Sequence, residues 1–527
     1  MAEAGSRKPS RFRAFPDTWA RSTPNKIAVL AANSNDSLTY RELDERSARL
    51  AHALRKAGLK RGDGIAFMLE NRIEFFVCAW AAQRSGLFFT PLNTRLGLEE
   101  ISSIVEDCRP CAVMISTRFR AIADAISRRV PDLAMAVSVG GDLPGYDSLD
   151  SLLDDASRIS PEDESEGAPL MYSSGTTGRP KAVARSLPDR IVGESDAWTN
   201  RISDLYRFDR NTVYYCPTPL YHGAGLWWTM VQHRFGGSVI LTEKFDPSEC
   251  LEIIRRHRVT HTQLVPTMFV RLLRLPEHER KRKVPASLQV AIHAAAPCPI
   301  DVKEKMIDWW GPILVEYYAS TEANGQTYID SHDWLRHKGS VGRAIMGTPH
   351  IVDEAGNECP PGTPGLVYFE NPMPPFEYRG DPEKTLESRH PMGWTTVGDM
   401  GYLDQEGYLY LTDRKTDMIV SGGVNIYPRE VEERLSMHPS VRDVAVFGVP
   451  NAEFGEEVKA IVQPENDDDV CDALARELMD YCRAHLAHYK CPRSIEFRND
   501  FPREPNGKLM KRLLRDEYWT ERKTRII

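Results

Sequence analysis

The chain has 527 residues, 41% of them hydrophobic and 27% charged, which is a folded globular composition and too long for one core, so two or more domains are expected. A formal net charge of −8 argues against a nucleic-acid protein, because duplex binding draws on a surplus of Lys and Arg. Ten cysteines are scattered, and their one close pair, Cys108 and Cys111, lacks the further ligands of a zinc site, so reduced thiols in a reducing compartment are expected.

No apolar run follows the basic residues Arg7, Lys8, Arg11 and Arg13, as a secretory signal would require. The most apolar stretch, Phe75 to Leu92, is broken by Gln83-Arg84, so no transmembrane segment is expected. The last residues, Arg525-Ile526-Ile527, are not a peroxisomal address, which leaves a cytoplasmic protein as the expectation.

Along the chain, Thr39 with Glu42 three residues later opens an amphipathic helix carrying Leu43, Leu50 and Leu54. Ile65 to Leu69 reads as a buried strand, a helix follows through Ala81, and Gly86 to Pro91 begins another strand. This alternation predicts a parallel sheet covered on both faces. Residues 160–169 are acidic and turn-rich, the pattern of a surface loop. From Gly356 to Leu411, Gly and Pro separate short runs such as Gly365 to Phe369, which predicts a small antiparallel barrel or sheet. Val444–Val449, Val458–Val462 and Ser494–Phe497 read as strands and Val470–Leu486 as a helix, enough for a small α/β domain. A boundary near Arg414 to Asp417 divides the chain into domains 1–415 and 416–527. The expected fold is α/β, with a large N-terminal domain of helix-covered sheets, a small barrel-like subdomain, and a small C-terminal α/β domain.

The strongest motif is Ser173-Ser174-Gly175-Thr176-Thr177-Gly178-Arg179-Pro180-Lys181, after the strand-like Leu170-Met171-Tyr172. Its glycines permit a tight turn with outward backbone N–H groups, and its hydroxyls and lysine suit an anion. It is not a Walker loop, since Lys181 comes too early and Ala182 follows. Four further stretches stand out in order: Tyr318-Ala319-Ser320-Thr321-Glu322, Gly398-Asp399-Met400-Gly401-Tyr402, Thr412-Asp413-Arg414-Lys415, and Pro502 to Lys508.

With these motifs in this order, the chain from about Leu38 to Lys511 resembles the adenylate-forming superfamily, in its acyl-CoA synthetase branch. The resemblance implies ATP, Mg2+ and coenzyme A, and a carboxylate that attacks the α-phosphorus of ATP. It assigns the β- and γ-phosphates to the Ser173–Lys181 loop, Mg2+ to Glu322 and phosphate support to Thr321. The nucleoside falls to Tyr317, Tyr318, Ala296 and Pro297, with Glu316 an acceptor for the adenine amine. Asp399 takes the ribose hydroxyls, and Arg414 reaches ribose or phosphate. Lys508 carries adenylation by offsetting two negative charges as they meet. Gly422 and Gly423 line the pantetheine tunnel, His222 gates the acyl carboxylate, and a C-terminal domain hinged near Thr416 rotates between the half-reactions.

Three positions depart from the commonest pattern: Ala182 and Ala319 replace glycine, and Thr416 replaces Asp or Lys. None removes a phosphate, metal or lysine function. Trp227, Trp228, Met230 and Ala294 to Ala296 are candidates for the acyl pocket, although aromatic residues are equally core material. A medium- or long-chain fatty acid is the first expectation, with an aryl or steroid-side-chain acid as the alternative. A luciferase-type oxidase or a carrier-linked synthetase would use the same adenylate. A non-catalytic nucleotide or acyl-CoA sensor would be expected to lack one of Lys181, Glu322, Asp399, Arg414 and Lys508, and all five are present. Nothing in the sequence sets the oligomeric state.

Overall fold

The computed structural model describes residues 13–155, 163–173, 181–194, 197–281, 285–296, 298–373, 375–414, 417–421, 424–451, 454–466, 470–503 and 509–519. The chain forms two compact units, one of Met1–Leu264, Val270–Ile292 and Glu377–Gly380, the other of Val265–Phe269, His293–Phe376 and Asp381–Ile527.

In the first unit the predicted alternation builds an all-parallel sheet, ordered Asp147–Ser148, Met135–Val139, Ala112–Ser116, Gly64–Met68, Phe88–Pro91 and Ala168–Pro169. Thr39 caps the helix Tyr40–Lys56 as expected. Its side chain accepts from the Glu42 N–H, and Glu42 accepts from the Thr39 N–H at 2.7 Å. Such a cap contributes about 1 kcal/mol, and the helix buries Leu43, Leu50 and Leu54. A second sheet runs His261–Leu264, Val213–Cys216, Ser238–Leu241 and Ile27–Ala31, all parallel, with Ser37–Thr39 antiparallel at its edge.

The acidic stretch expected as a surface loop is partly an interior one. Glu166 is buried and accepts from Gln83 at 2.8 Å, the Gly193 N–H at 2.9 Å and Arg234. Glu164 pairs with Arg84 at 2.7 Å and with Arg13. Arg84 is fully buried at the end of the helix Glu74–Arg84. A guanidinium there needs a counter-charge, because an unpaired buried ion is far costlier than a paired one.

The second unit holds the antiparallel sheet predicted for residues 356–411. Its strands are Thr348–Val352, Gly365–Glu370, Thr395–Leu403 and Leu409–Arg414, around Ile351, Val367, Phe369 and Leu409. Farther along, Val441–Asn451 and Gly455–Pro464 form a long antiparallel pair, with Ser494–Phe497 parallel to the latter. The helices Pro428–Ser436 and Asp472–His485 close that core through Val431, Leu435, Leu474 and Leu478. Thr416, where a hinge is expected, lies outside the described residues, as does Lys415. Among the described residues no helix is long and apolar enough to cross a membrane.

Candidate active site

The Ser173–Lys181 motif of the first unit is rooted in a hairpin. Tyr172–Ser173 pairs antiparallel with Lys181–Ala184, which sets Ser173 opposite Lys181 and Tyr172 opposite Ala182. A third strand, Glu377–Tyr378, pairs with Val183 and Ala184, and the Arg379 N–H donates to Ala182 O at 3.0 Å. Ser174, Gly175, Thr176, Thr177 and Gly178 lie outside the described residues.

Two contacts fix the root of this hairpin. The Tyr172 hydroxyl donates to the Asp107 carboxylate, one residue before the end of the helix Leu98–Cys108. Burial pushes the Tyr172 phenol well above its usual range, so it remains a donor. The Ala182 methyl is buried against Cys108 and Leu170, with Phe88 and Tyr172 packed around them. An apolar wall therefore receives the methyl that distinguishes Ala182 from the usual glycine.

His222 comes to the same neighbourhood. Its N–H donates to Pro219 O at 3.2 Å, and it directly precedes the helix Gly223–Phe235. A Cβ at Gly223 would stand 3.9 Å from the Met171 methyl, so this helix begins beside the segment that enters the Ser173–Lys181 motif. Gly225 is obligatory in that turn, since a Cβ there would lie 2.4 Å from Pro219 O. Of the residues considered for the acyl pocket, Trp228 is core: it is buried edge-on against Tyr206 at 4.6 Å and Phe208 at 5.6 Å. Met230 is buried as well, whereas Trp227 is 38% exposed.

In the second unit the strands Leu314–Glu316 and Gln326–Asp330 pair antiparallel and Ala319 bridges Gln326, so Ser320 to Gly325 form the connecting turn. Ser320 closes it, donating to Asn324 Oδ1 at 3.0 Å and accepting the Ala323 N–H at 3.0 Å. Glu322 is buried and Thr321 exposed. Gly325 has no room for a side chain, because the Phe369 ring stands 2.1 Å from where its Cβ would be. Ala319 is not among the residues with positive φ, so its methyl costs no backbone strain. Ala323 at φ +45° and Ala295 at φ +73° are left-handed, a conformation that alanine adopts at a cost and that clusters at functional sites.

Two motifs far apart in sequence meet here. The Tyr318 hydroxyl donates to Asp399 Oδ2 at 2.6 Å, and Asp399 lies directly across the antiparallel ladder from Arg414. The Tyr317 N–H donates to His293 O at 3.3 Å, which ties this segment to the one leading into Ala294, Ala295 and Ala296. Pro297 lies outside the described residues. Glu316 is buried, with Oε2 2.5 Å from the Nζ of Lys303. One of its two acceptors is thus committed to a lysine that no motif marks. The sequence does carry a signal for it: Lys303 falls on the buried face of the helix Ile300–Trp310, in register with Met306, Ile307 and Trp310.

Among the described residues no group of three or more His, Cys, Asp or Glu side chains could cage a metal. One carboxylate, such as Glu322, suits Mg2+, which keeps several waters and takes its other ligands from substrate phosphates. Gly422, Gly423 and Lys508 lie outside the described residues. Their neighbours are paired, Ser421 with Val424 and Arg503 with Leu509, both antiparallel.

A hydroxyl- and glycine-rich motif between paired strands, and a tyrosine–aspartate pair beside a carboxylate-bearing turn, are the parts expected of an enzyme that consumes ATP to form adenylates. The comparisons agree. Residues 16–374 match the AMP-binding enzyme family and residues 430–508 its C-terminal domain. The chain is 32% identical over 500 residues to a long-chain-fatty-acid–CoA ligase of Mycobacterium tuberculosis, covering 94% of this chain and 96% of that one. It is 33% identical over 501 residues to a feruloyl-CoA synthase of Amycolatopsis, covering 94% and 97%. Among solved structures it is similar to ATP-bound MatB of Rhodopseudomonas palustris, with TM-score 0.81, 30% identity and coverage of 96% and 99%. It is also similar to the o-succinylbenzoate CoA synthetase of Bacillus subtilis holding its acyl-adenylate, with TM-score 0.79, 27% identity and coverage of 95% and 97%. The chain belongs to the AMP-binding enzyme family, as an AMP-forming acid–CoA ligase that uses ATP, Mg2+ and coenzyme A.

Proposed function

We propose that this enzyme activates a medium- or long-chain fatty acid as its acyl-adenylate and passes the acyl group to coenzyme A. The observation that carries the reading is the Tyr318–Asp399 hydrogen bond, which joins two motifs 81 residues apart, as one nucleoside site requires. The fatty-acid relative, similar over 94% of the chain, supports the choice of acid. The feruloyl and 2-succinylbenzoate relatives, at 33% and 30% identity, keep an aryl acid as the second reading.

In this reading the Ser173–Lys181 loop, with Lys181 on its paired root, holds the β- and γ-phosphates that leave as pyrophosphate. Thr321 supports the phosphates, and Glu322 holds Mg2+, which neutralises phosphate charge. The nucleoside sits between Tyr318, which stacks on adenine, and the backbone of Ala295, Ala296 and Pro297, with Tyr317 alongside. Asp399 binds the ribose hydroxyls and Arg414 the ribose or phosphate. Lys508 stands between carboxylate and α-phosphate and offsets both charges. His222 lies against the acyl carboxylate, which needs no base because it is already ionised at neutral pH. Residues 1–415 form the adenylating domain. Residues 416–527 supply Lys508 for the first step and the Gly422-Gly423 loop for the second.

The test is CoA-dependent AMP release across acetate, octanoate, palmitate, benzoate, ferulate and a bile acid, with the thioester identified by mass. Thioester with octanoate or palmitate at the highest kcat/KM is expected. A preference for ferulate or benzoate would replace the fatty acid by an aryl acid, and pyrophosphate release without thioester would move the acceptor away from coenzyme A.

A further inference from the structure

The second unit buries a charged cluster in which Glu316 alone has been given a part in nucleotide binding, and its partners Lys303 and His293 none. Lys303 is fully buried, with its ammonium 2.5 Å from Glu316 Oε2 and 4.7 Å from the centre of the Trp334 ring. His293 is also fully buried, with Nε2 3.6 Å from the same carboxylate oxygen and Phe269 packed edge-on at 5.3 Å. Neither ring nitrogen of His293 has a hydrogen-bond partner. Burial, and then the Lys303 charge, keep its pKa well below the usual range, so the ring is neutral.

Such a cluster is a poor way to stabilise a core. Desolvating two ions offsets most of their attraction, and apolar side chains of similar volume do as well or better. Its position is more informative. His293 directly precedes Ala294 to Ala296, Glu316 lies two residues before Tyr318, and the Tyr317 N–H donates to His293 O at 3.3 Å. The cluster thus underlies both segments to which the proposed function assigns the nucleobase.

We propose that Lys303 is a positioning residue for nucleobase selection: it fixes Glu316 as a carboxylate whose second oxygen accepts from the exocyclic amine of adenine. An ionised carboxylate has acceptors only, so a base with a carbonyl at that place, as in inosine, meets two lone pairs and no donor. A site built to hydrogen-bond one partner rejects an analogue lacking it far more strongly than a change of apolar volume would. This inference rests on the nucleotide assignment given under the proposed function, and it says nothing of the acid.

The experiment compares ATP with inosine triphosphate on the whole enzyme, by equilibrium titration without acid or coenzyme A and by KM in turnover. The parent is expected to bind ATP at least about 100-fold more tightly than inosine triphosphate. In Lys303→Met Glu316 loses the cation that holds it in place, and the preference for ATP narrows. Because that variant leaves a buried acid unpaired and is at risk of misfolding, the double variant Lys303→Met/Glu316→Gln provides a neutral pair. It is expected to narrow the ratio to within about tenfold while the KM for coenzyme A is unchanged. A double variant that folds and keeps the parent's ratio would overturn the proposal, as would a parent that does not discriminate. Failure of the ligase reading would look different, as absence of thioester with every acid while the nucleotide ratio still responds to the variants.

Discussion

Two hairpins present the motif residues, one in each compact unit, and they are braced by different chemistry. The hairpin Tyr172–Ser173/Lys181–Ala184 is held by a phenol–carboxylate hydrogen bond and a buried methyl. The hairpin Leu314–Glu316/Gln326–Asp330 stands on a buried ion pair and carries a left-handed alanine in its turn. The first bracing is inexpensive and tolerates an alanine for glycine exchange, because the methyl meets an apolar wall. The second holds charge and strain, which add little to stability and are retained where geometry matters. On this view the phosphate hairpin governs how well ATP is held, and the turn after Tyr318 governs which nucleotide is accepted and how it reacts.

The largest effect lies outside both hairpins. Lys508→Ala is expected to leave ATP binding nearly intact and to slow adenylation by about 100- to 1,000-fold, the usual loss for one electrostatic group at developing charge. Pyrophosphate release at the parent rate would remove Lys508 from the chemistry. Next, a bulky side chain at Gly423 should permit adenylate formation and block thioester formation, measured as pyrophosphate release against AMP release. Equal loss of both would indicate misfolding instead.

Tyr172→Phe addresses the first bracing alone. Losing one buried hydrogen bond, about 1 kcal/mol, should raise the KM for ATP about fivefold with the KM for coenzyme A unchanged. Asp107→Asn, which keeps an acceptor, should stay near the parent. An unchanged KM for ATP in Tyr172→Phe would reduce the bond to general packing. The smallest effect belongs to the strained turn. Ala323→Gly should raise stability by about 0.5 kcal/mol, as the left-handed penalty slightly exceeds the entropy cost of glycine. A lower melting temperature would show that the turn is not strained.

The parallel-sheet unit also responds to acid. Burial pushes His233 and His261 down to about 4 from 6.5. Trp80 donates to His233 Nδ1 at 3.1 Å, and His233 Nε2–H reaches Ala28 O at 3.1 Å, which fixes the neutral tautomer. Between pH 6.5 and about 4 the unfolded chain binds protons that the fold excludes. This stability is therefore complete above pH 6.5 and lost on acidification, about 2 kcal/mol per histidine at pH 5. The melting temperature should fall from pH 7 to pH 5, and His233→Gln should flatten that fall. An unaltered slope in the variant would place the acid sensitivity elsewhere.

Much of this was legible because local signals and tertiary structure agree. Thr39 and Glu42 announced their helix, the strand–helix alternation announced the parallel sheet, and the motif order announced the chemistry. The failures share a cause. An acidic run reads as solvated until its partners are known, and nothing local to Glu164 or Glu166 points to Arg13, Arg84 or Arg234. Trp228 beside His222 reads equally as pocket lining or as core until Tyr206 and Phe208 arrive from other elements. Lys303 was legible in principle, as a charge on an apolar stripe, but its partner Glu316 lies on a strand after the helix.

The central claim is that a carboxylate oxygen attacks the α-phosphorus of ATP, and oxygen-18 transfer tests it most directly. Turnover of doubly labelled octanoate or palmitate with ATP and coenzyme A should place one labelled oxygen in the AMP and leave the pyrophosphate unlabelled. Label in orthophosphate, with ADP as the nucleotide product, would contradict the acyl-adenylate and replace it with an acyl-phosphate route.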